Sequence, residues 1–286
     1  MLGRRLHETL SQSFEVMATD VAEHGEVTAL DKDTALDKVT ALDITDPAAV
    51  ESAVTSFRPT WIVNSAAYTA VDRAETETDL AMVVNADGPE ILARVASEIG
   101  ARILHIGTDF VFDGEKGSPY VETDAVNPLC AYGRTKEEGE RRVREACEDH
   151  VIFRIAWLFG PDGPNFVATM LRLAREHGTL RVVADQVGTP TYTRHASVAI
   201  RDVMQADLRG TIHGTNGGET TWFGLAAAAV EAAGLKIPMT ELQTSDYPTP
   251  ARRPANSRLH NQVLEQTIGD PMPPWIEGVR AYVAEL

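Results

Sequence analysis

The chain has 286 residues, 43% of them hydrophobic, which supports one large α/β domain or one domain with a smaller lobe attached. Its formal charge of −16, with 42 Asp and Glu against 26 Lys and Arg, leaves no basic face for nucleic acid and argues against an anionic membrane surface. A phosphorylated small ligand stays open, because a few local cations and helix N-termini can hold one. No apolar run approaches the ~20 residues of a membrane span, and the polar start Met1-Leu2-Gly3-Arg4-Arg5 carries no secretory signal. Cys130 and Cys147 lack metal-type spacing, so no metal site and a reducing cytoplasm are expected. The scarcity of lysine (five, against 21 Arg) fits a salt-rich habitat or GC-rich coding equally well.

Taken in order, short β-rich runs alternate with longer helical patterns, the signature of a doubly wound parallel sheet. Phe14 to Thr19 reads as a strand ending at Asp20. A six-residue tandem follows, Thr28-Ala29-Leu30-Asp31, Thr34-Ala35-Leu36-Asp37 and Thr40-Ala41-Leu42-Asp43. It is too short for a solenoid and reads as an expanded loop over 22–40. Asp46 caps a helix with Pro47 at its first position, and Ala49, Val50, Val54 and Phe57 share one face. Trp61 to Asn64 is a strand, Leu80 to Gly100 mostly helix, and Arg102 to Gly107 a strand. Val151 to Ala156 is another strand, and Asn165 to Glu176 a helix with Phe166, Met170, Leu171 and Ala174 facing in. Beyond Leu180 the elements shorten and prolines cluster. A nucleotide-binding core over 1–160 and a smaller lobe over 161–286, with some segments returning to the core, are expected.

Tyr132-Gly133-Arg134-Thr135-Lys136 carries the chemistry. Tyr132 and Lys136 are four apart and share one face of a helix that runs to about Cys147. An ammonium beside a phenol favours the phenolate, which predicts a tyrosine pKa lowered toward the working pH and an acid able to protonate a carbonyl oxygen. Thr108 ends the strand upstream and offers a hydroxyl to the same place. Hydroxyl, phenol and ammonium together are the equipment of nicotinamide-dependent carbonyl reduction.

With the strands placed, the chain resembles the dTDP-4-dehydrorhamnose reductase family, a branch of the extended short-chain dehydrogenase/reductases. The resemblance rests on Leu42-Asp43-Ile44-Thr45-Asp46, Val63-Asn64-Ser65-Ala66-Ala67-Tyr68-Thr69-Ala70-Val71-Asp72, Thr108-Asp109-Phe110-Val111-Phe112-Asp113-Gly114 and the Tyr132 motif. Phe153-Arg154-Ile155-Ala156-Trp157, Asp185-Gln186-Val187-Gly188-Thr189-Pro190-Thr191, Tyr247-Pro248-Thr249-Pro250 and Arg253-Pro254-Ala255-Asn256-Ser257 extend it to the C-terminal part. It implies a Rossmann-like core with a C-terminal substrate-binding lobe, NADPH or NADH as cofactor, and a nucleotide-sugar substrate. By the same resemblance Tyr132 protonates the C4 oxygen, Lys136 holds the nicotinamide ribose, and Thr108 orients the carbonyl. Asp43 and Ile44 pack at the adenine, and Ala66, Ala67 and Tyr68 line the cofactor channel with Asn85 nearby. Thr69, Val71, Asp109, Phe110 and Trp157 face the deoxysugar and nucleotide, and Arg253, Pro254 and Asn256 close the lobe over it.

Three departures stand out. Family members open with a strand and a Gly-x-x-Gly-x-x-Gly turn whose N–H groups approach the cofactor pyrophosphate. Here only Gly3 of that turn remains, and the first, central strand is missing. Either the start is set too late or the chain folds with a damaged cofactor site; the first reading is adopted. Asp20 falls where an acid binds the adenine ribose and leans toward NADH, while Arg4 and Arg5 are placed to offset it. Where metal-bridged dimers of the family carry a glutamate, this chain reads Thr191-Tyr192-Thr193-Arg194-His195. A monomer or weak homodimer without a metal bridge is therefore expected. Phe110 replaces a frequent tyrosine but keeps an aromatic wall.

The leading expectation is NAD(P)H-dependent reduction of dTDP-4-dehydro-6-deoxy-L-mannose to dTDP-L-rhamnose. Reduction of another nucleotide-linked 4-keto sugar is the enzymatic alternative. A non-catalytic sugar-nucleotide or partner-binding module on the same fold, as in the regulatory subunit of methionine adenosyltransferase, is the other.

Overall fold

The computed structural model describes residues 1–21 and 39–286; the first two repeats of the tandem lie outside the described residues. The chain opens on helix α1 (Leu2–Leu10), whose Leu2, Leu6 and Leu10 are buried at helical spacing. Strands β1 (Ala18–Asp20) and β2 (Val39–Ala41) pair in parallel. Helix α2 (Pro47–Phe57) begins as its sequence predicts, with the Asp46 carboxylate accepting from the N–H groups of Ala48 and Ala49. After β3 (Trp61–Asn64) come α3 (Thr78–Met82), a π-turn (Val83–Asp87) and α4 (Gly88–Ile99), so the stretch read as one helix carries a π-bulge in its middle. Strand β4 (Arg102–Thr108), helix α5 (Ala131–Ala146) and strand β5 (His150–Ile155) complete the first half.

The second half starts with β6 (Leu158–Phe159), α6 (Phe166–His177), β7 (Leu180–Val183), β8 (Val187–Gly188) and β9 (Thr191–Tyr192). Helix α7 (Thr193–Gln205) and strand β10 (Gly210–His213) return to the core, where α7 packs on α1 and β10 pairs with β5. Strand β11 (Thr220–Thr221), α8 (Trp222–Ala232), β12 (Met239–Leu242), β13 (Asn256–Ser257), α9 (Gln262–Thr267) and α10 (Trp275–Ala284) follow. The lobe is held by short ladders, β7 with β12, β6 with β9, and β8 between β11 and β13.

The main sheet is parallel, in the order β10-β5-β4-β3. The β1–β2 pair forms a separate ladder, and among the described residues no strand bonds β1 to β3. Strand β1 is also shorter than expected, since Phe14 and Val16 precede it and instead pack their side chains against the core of α1, α7 and the sheet.

Helix α5 is fastened to the sheet from below. Arg154 on β5 and Glu140 on α5 are both buried and share three hydrogen bonds of 2.7–3.1 Å. The guanidinium also lies 5.2 Å from the centre of the Phe112 ring. Gly107 makes room for the pair, because a Cβ there would sit 2.5 Å from Glu140 Oε1 and 2.7 Å from Arg154 Cγ. On the other side of α5, a Cβ on Gly139 would overlap the Asn85 carbonyl oxygen. Replacing Glu140 by Gln should leave the Arg154 charge buried without its counter-ion. A stability loss of about 3–5 kcal/mol in urea denaturation is expected, and a loss below about 1 kcal/mol would contradict this role.

Candidate active site

The candidate residues gather at the carboxyl ends of β3, β4 and β5, where ligands of open parallel sheets bind. Thr108 is the last residue of β4, and Tyr132 and Lys136 occupy the first turns of α5. The start of α5 is fixed by Glu75, whose carboxylate accepts from the Ala131 N–H at 2.7 Å, and by Cys130 Sγ, which accepts from the Gly133 N–H. Phe110 meets the Tyr132 ring edge-on, with centroids 5.4 Å apart.

The Tyr132 phenol is hydrogen-bonded to the Thr108 hydroxyl. Its pKa is raised, chiefly because burial strips water from the phenolate, with Asp109 adding to the rise. This reverses the direction expected from a lysine neighbour. The reason is where the amine goes: Lys136 Nζ donates to the Ile106 carbonyl at 2.7 Å and lies 3.1 Å from His105 Nε2. Burial lowers the Lys136 pKa to about 8, against a smaller opposing effect of Glu140. His105 Nδ1 is in turn 3.0 Å from Asn64 Nδ2, and Asn64 Oδ1 accepts from the Ala66 N–H. His105 and Asn64 were assigned no role from sequence. The one signal was a histidine in the middle of an otherwise apolar strand.

Asp109 is buried beside Thr108, whose hydroxyl lies 3.1 Å from its Oδ1. Burial raises its carboxyl pKa to about 6, opposed by hydrogen bonds from Ser257 and Thr108. Its Oδ2 has no hydrogen-bond partner among the described residues.

The expected cofactor residues surround one edge of this cluster. Gly3 at the start of α1 sits against Ser65, whose Oγ is 2.9 Å from where a Cβ would be. Ser65 and Ala66 are exposed, and Ala67 and Tyr68 half-buried, on the turn after β3. Asn85 is fully buried and spends its amide on structure, accepting from the Tyr68 N–H and donating to the Tyr68 carbonyl and Thr135 Oγ1. It thereby ties the Ala67-Tyr68 turn to α5. The Tyr68 hydroxyl donates to Glu77 at 2.5 Å. Asp20 and Asp43 lie exposed at or just beyond the ends of β1 and β2, and Asp43 accepts from Thr45. Ile44 leans on Gly88 at the head of α4. Arg4 and Arg5, placed by sequence near Asp20, pair instead with Asp162.

The expected substrate residues divide. Thr69 is exposed and Val71 half-buried on the same loop as Tyr68. Trp157 is buried, takes a left-handed backbone (φ 47°) and stacks on Trp222 at 3.6 Å. Arg253 reaches across from the lobe to Asp72, making bonds of 3.0 and 2.9 Å, and also binds Thr249 and the Ala251 carbonyl. That pairing is the main cause of a lowered Asp72 pKa. Asn256 donates to the carbonyls of Lys116 and Ser118 and accepts from Arg258, so its amide shapes the lobe from within. Arg194 pairs with Glu285.

The sequence profile described as the RmlD substrate binding domain matches residues 1–286. A dTDP-4-dehydrorhamnose reductase of Sinorhizobium fredii is 43% identical over 247 residues, covering 82% of this chain and 83% of that protein. The crystal structure of a dTDP-4-dehydrorhamnose reductase from Clostridium acetobutylicum superposes with a TM-score of 0.89 at 38% identity, over 99% of this chain and 95% of that one. A Bacillus anthracis dTDP-4-dehydrorhamnose reductase in complex with NADP matches at TM-score 0.83 and 38% identity, over 86% and 87% of the two chains. By profile, sequence and fold alike, the chain belongs to the dTDP-4-dehydrorhamnose reductase family.

Proposed function

We propose that the chain reduces the C4 keto group of dTDP-4-dehydro-6-deoxy-L-mannose to give dTDP-L-rhamnose, with NADPH or NADH as reductant. The observation that carries this reading is the Tyr132 phenol, hydrogen-bonded to Thr108 at the end of β4 with Lys136 one turn along the same helix. The donor set fits a nicotinamide nucleotide: the small residues Ser65 and Ala66 are exposed on the turn after β3, and the buried Lys136 amine is joined to that turn through His105 and Asn64. The bound cofactor supplies the hydride.

Each remaining step belongs to the chain's own groups. A phenol whose pKa is raised stays protonated at neutral pH and can deliver its proton to an oxygen as negative charge develops there. Thr108 fixes the direction of that phenol. Lys136 would hold the ribose hydroxyls of the bound cofactor, and Asn85 keeps the Ala66-Ala67-Tyr68 turn in register with α5. Phe110, Asp109 and the Trp157 wall close the sugar side, with Thr69 and Val71 at its rim. The Arg253–Asp72 pair draws the lobe onto the cofactor turn, so Arg253 and Asn256 act by placing the lobe. A cytoplasmic monomer or weak homodimer without a metal bridge fits the Arg194–Glu285 pair, and no described helix is long and apolar enough to cross a membrane.

Tyr132→Phe should keep the fold and cofactor affinity but lower turnover ~10²–10⁴-fold, the range for losing a positioned general acid. Turnover within a few-fold of the parent in steady-state assays would remove Tyr132 from the mechanism.

Asp109 generates a pH prediction. Its folded pKa of about 6 exceeds the ordinary 3.8, so between those values the folded chain holds a proton that the unfolded chain has lost. This group's contribution to stability therefore falls as pH rises from about 4 to 6. Asp109→Asn should remove that decline from urea titrations at pH 4, 5 and 6. An unchanged pH slope would show that the carboxyl titrates normally.

In the family resemblance the pyrophosphate is held by N–H groups of a Gly-x-x-Gly-x-x-Gly turn, of which Gly3 at the head of α1 is the described part. Hydrogen bonds to charged groups contribute roughly 1.5–3 kcal/mol each, so two of them amount to about two to four orders of magnitude in affinity. Calorimetry should show NADPH binding that much tighter to a chain preceded by a strand and Gly-x-x-Gly-x-x-Gly turn. Equal micromolar affinity with and without the extension would show the turn to be dispensable.

A further inference from the structure

A chain of four polar groups runs under the site with its direction fixed at one end. The Ala66 backbone N–H can only donate, and it donates to Asn64 Oδ1 at 3.1 Å. The other side of that amide, Nδ2, must then donate to His105 Nδ1, 3.0 Å away. A neutral imidazole that accepts at Nδ1 carries its hydrogen on Nε2. Nε2–H points at Lys136 Nζ, 3.1 Å away, while Nζ donates to the Ile106 carbonyl. Asn64, His105 and Lys136 are all buried, so water cannot relieve a mismatch. An ammonium has no lone pair to accept from Nε2–H.

We propose that Asn64 and His105 are positioning residues that present the Lys136 amine with a hydrogen-bond donor, easing the loss of its proton and coupling its charge to the Ala66 turn. Charging Lys136 sets two donors against each other. Either Nζ faces Nε2–H, or the imidazole and amide both reverse and Asn64 Nδ2 faces the Ala66 N–H. The second outcome releases the turn expected to line the cofactor channel. The relevance to cofactor binding rests on Lys136 as the ribose ligand; the donor chain itself does not.

The surrounding charges agree with an amine that gives up its proton readily. Glu140 on α5 is the nearest carboxylate among the groups that act on Lys136, and Arg154 on β5 and Arg144 on α5 both pair with it. Tyr132 on the same helix stays neutral, and β4 contributes only His105 and the Ile106 carbonyl. His105 itself is held neutral by burial and by Lys136 and Arg144.

The test needs no cofactor. Long-range ¹⁵N–¹H spectra of ¹⁵N-histidine-labelled protein should show His105 as the Nε2–H tautomer at pH 9 to 9.5, above the Lys136 midpoint. The Nδ1–H tautomer would overturn the proposal, whatever a variant does. With ¹³C-lysine labelling there are five lysines to resolve (Lys32, Lys38, Lys116, Lys136 and Lys236), and the Lys136 Cε should titrate near pH 8. In His105→Gln the side-chain carbonyl can turn to accept from Lys136, and its midpoint should rise by about one pH unit or more. A midpoint that stays put or falls would contradict the donor role, since a merely structural histidine would alter the melting temperature and leave the lysine titration unchanged. A correct tautomer and shift without cofactor binding would leave the donor chain standing and count against the ribose reading alone.

Discussion

The buried ion pair between Arg154 and Glu140 is the constraint on which the site depends. It lies directly beneath Gly107, one residue before Thr108, and joins β5 to the helix that carries Tyr132 and Lys136. Two charges out of water are costly unless geometry is good, and here three hydrogen bonds and a facing aromatic ring offset the burial, while Arg154 Nη1 has no hydrogen-bond partner among the described residues. Such a pair does little for net stability compared with apolar packing, but it tolerates almost no displacement. Register between α5 and β4 is thereby fixed, and with it the hydrogen bond from Tyr132 to Thr108. The close approach of Gly139 to the Asn85 carbonyl does the same from the other side, through the π-turn.

Two polar networks leave this scaffold in opposite directions. One runs from Tyr132 through Thr108 to Asp109 and Ser257, and so to the C-terminal lobe. The other runs from Lys136 through His105 and Asn64 to the Ala66 turn after β3. Tyr132 and Lys136 thus sit on one helix face, yet their bonds lead to different parts of the structure. The Arg253–Asp72 pair then joins the two parts at the rim.

Features set by local sequence were legible in advance. Asp46-Pro47 specified a helix start, Trp61 to Asn64 a strand, and the four-residue spacing of Tyr132 and Lys136 a shared helix face. What failed was set by distant partners. Arg253 and Asp72 are 181 residues apart, and Arg5 and Asp162 are 157 apart, so neither ion pair had a sequence signature. The direction of the Tyr132 shift was misjudged because proximity on a helix does not say where a flexible amine points. Lys136 turns to the β4 backbone, and burial then decides both pKa values. His105 was invisible for a related reason: its role exists only through side chains from two other elements.

The most direct test of the account is where the hydride goes. With (4,4-²H₂)-labelled NADPH, dTDP-4-dehydro-6-deoxy-L-mannose and the protein in excess over substrate, a single turnover should place deuterium at C4 of dTDP-L-rhamnose, read by ¹H NMR and mass spectrometry. Product without deuterium at C4, or cofactor and substrate recovered unchanged by a folded chain shown to bind both, would contradict it.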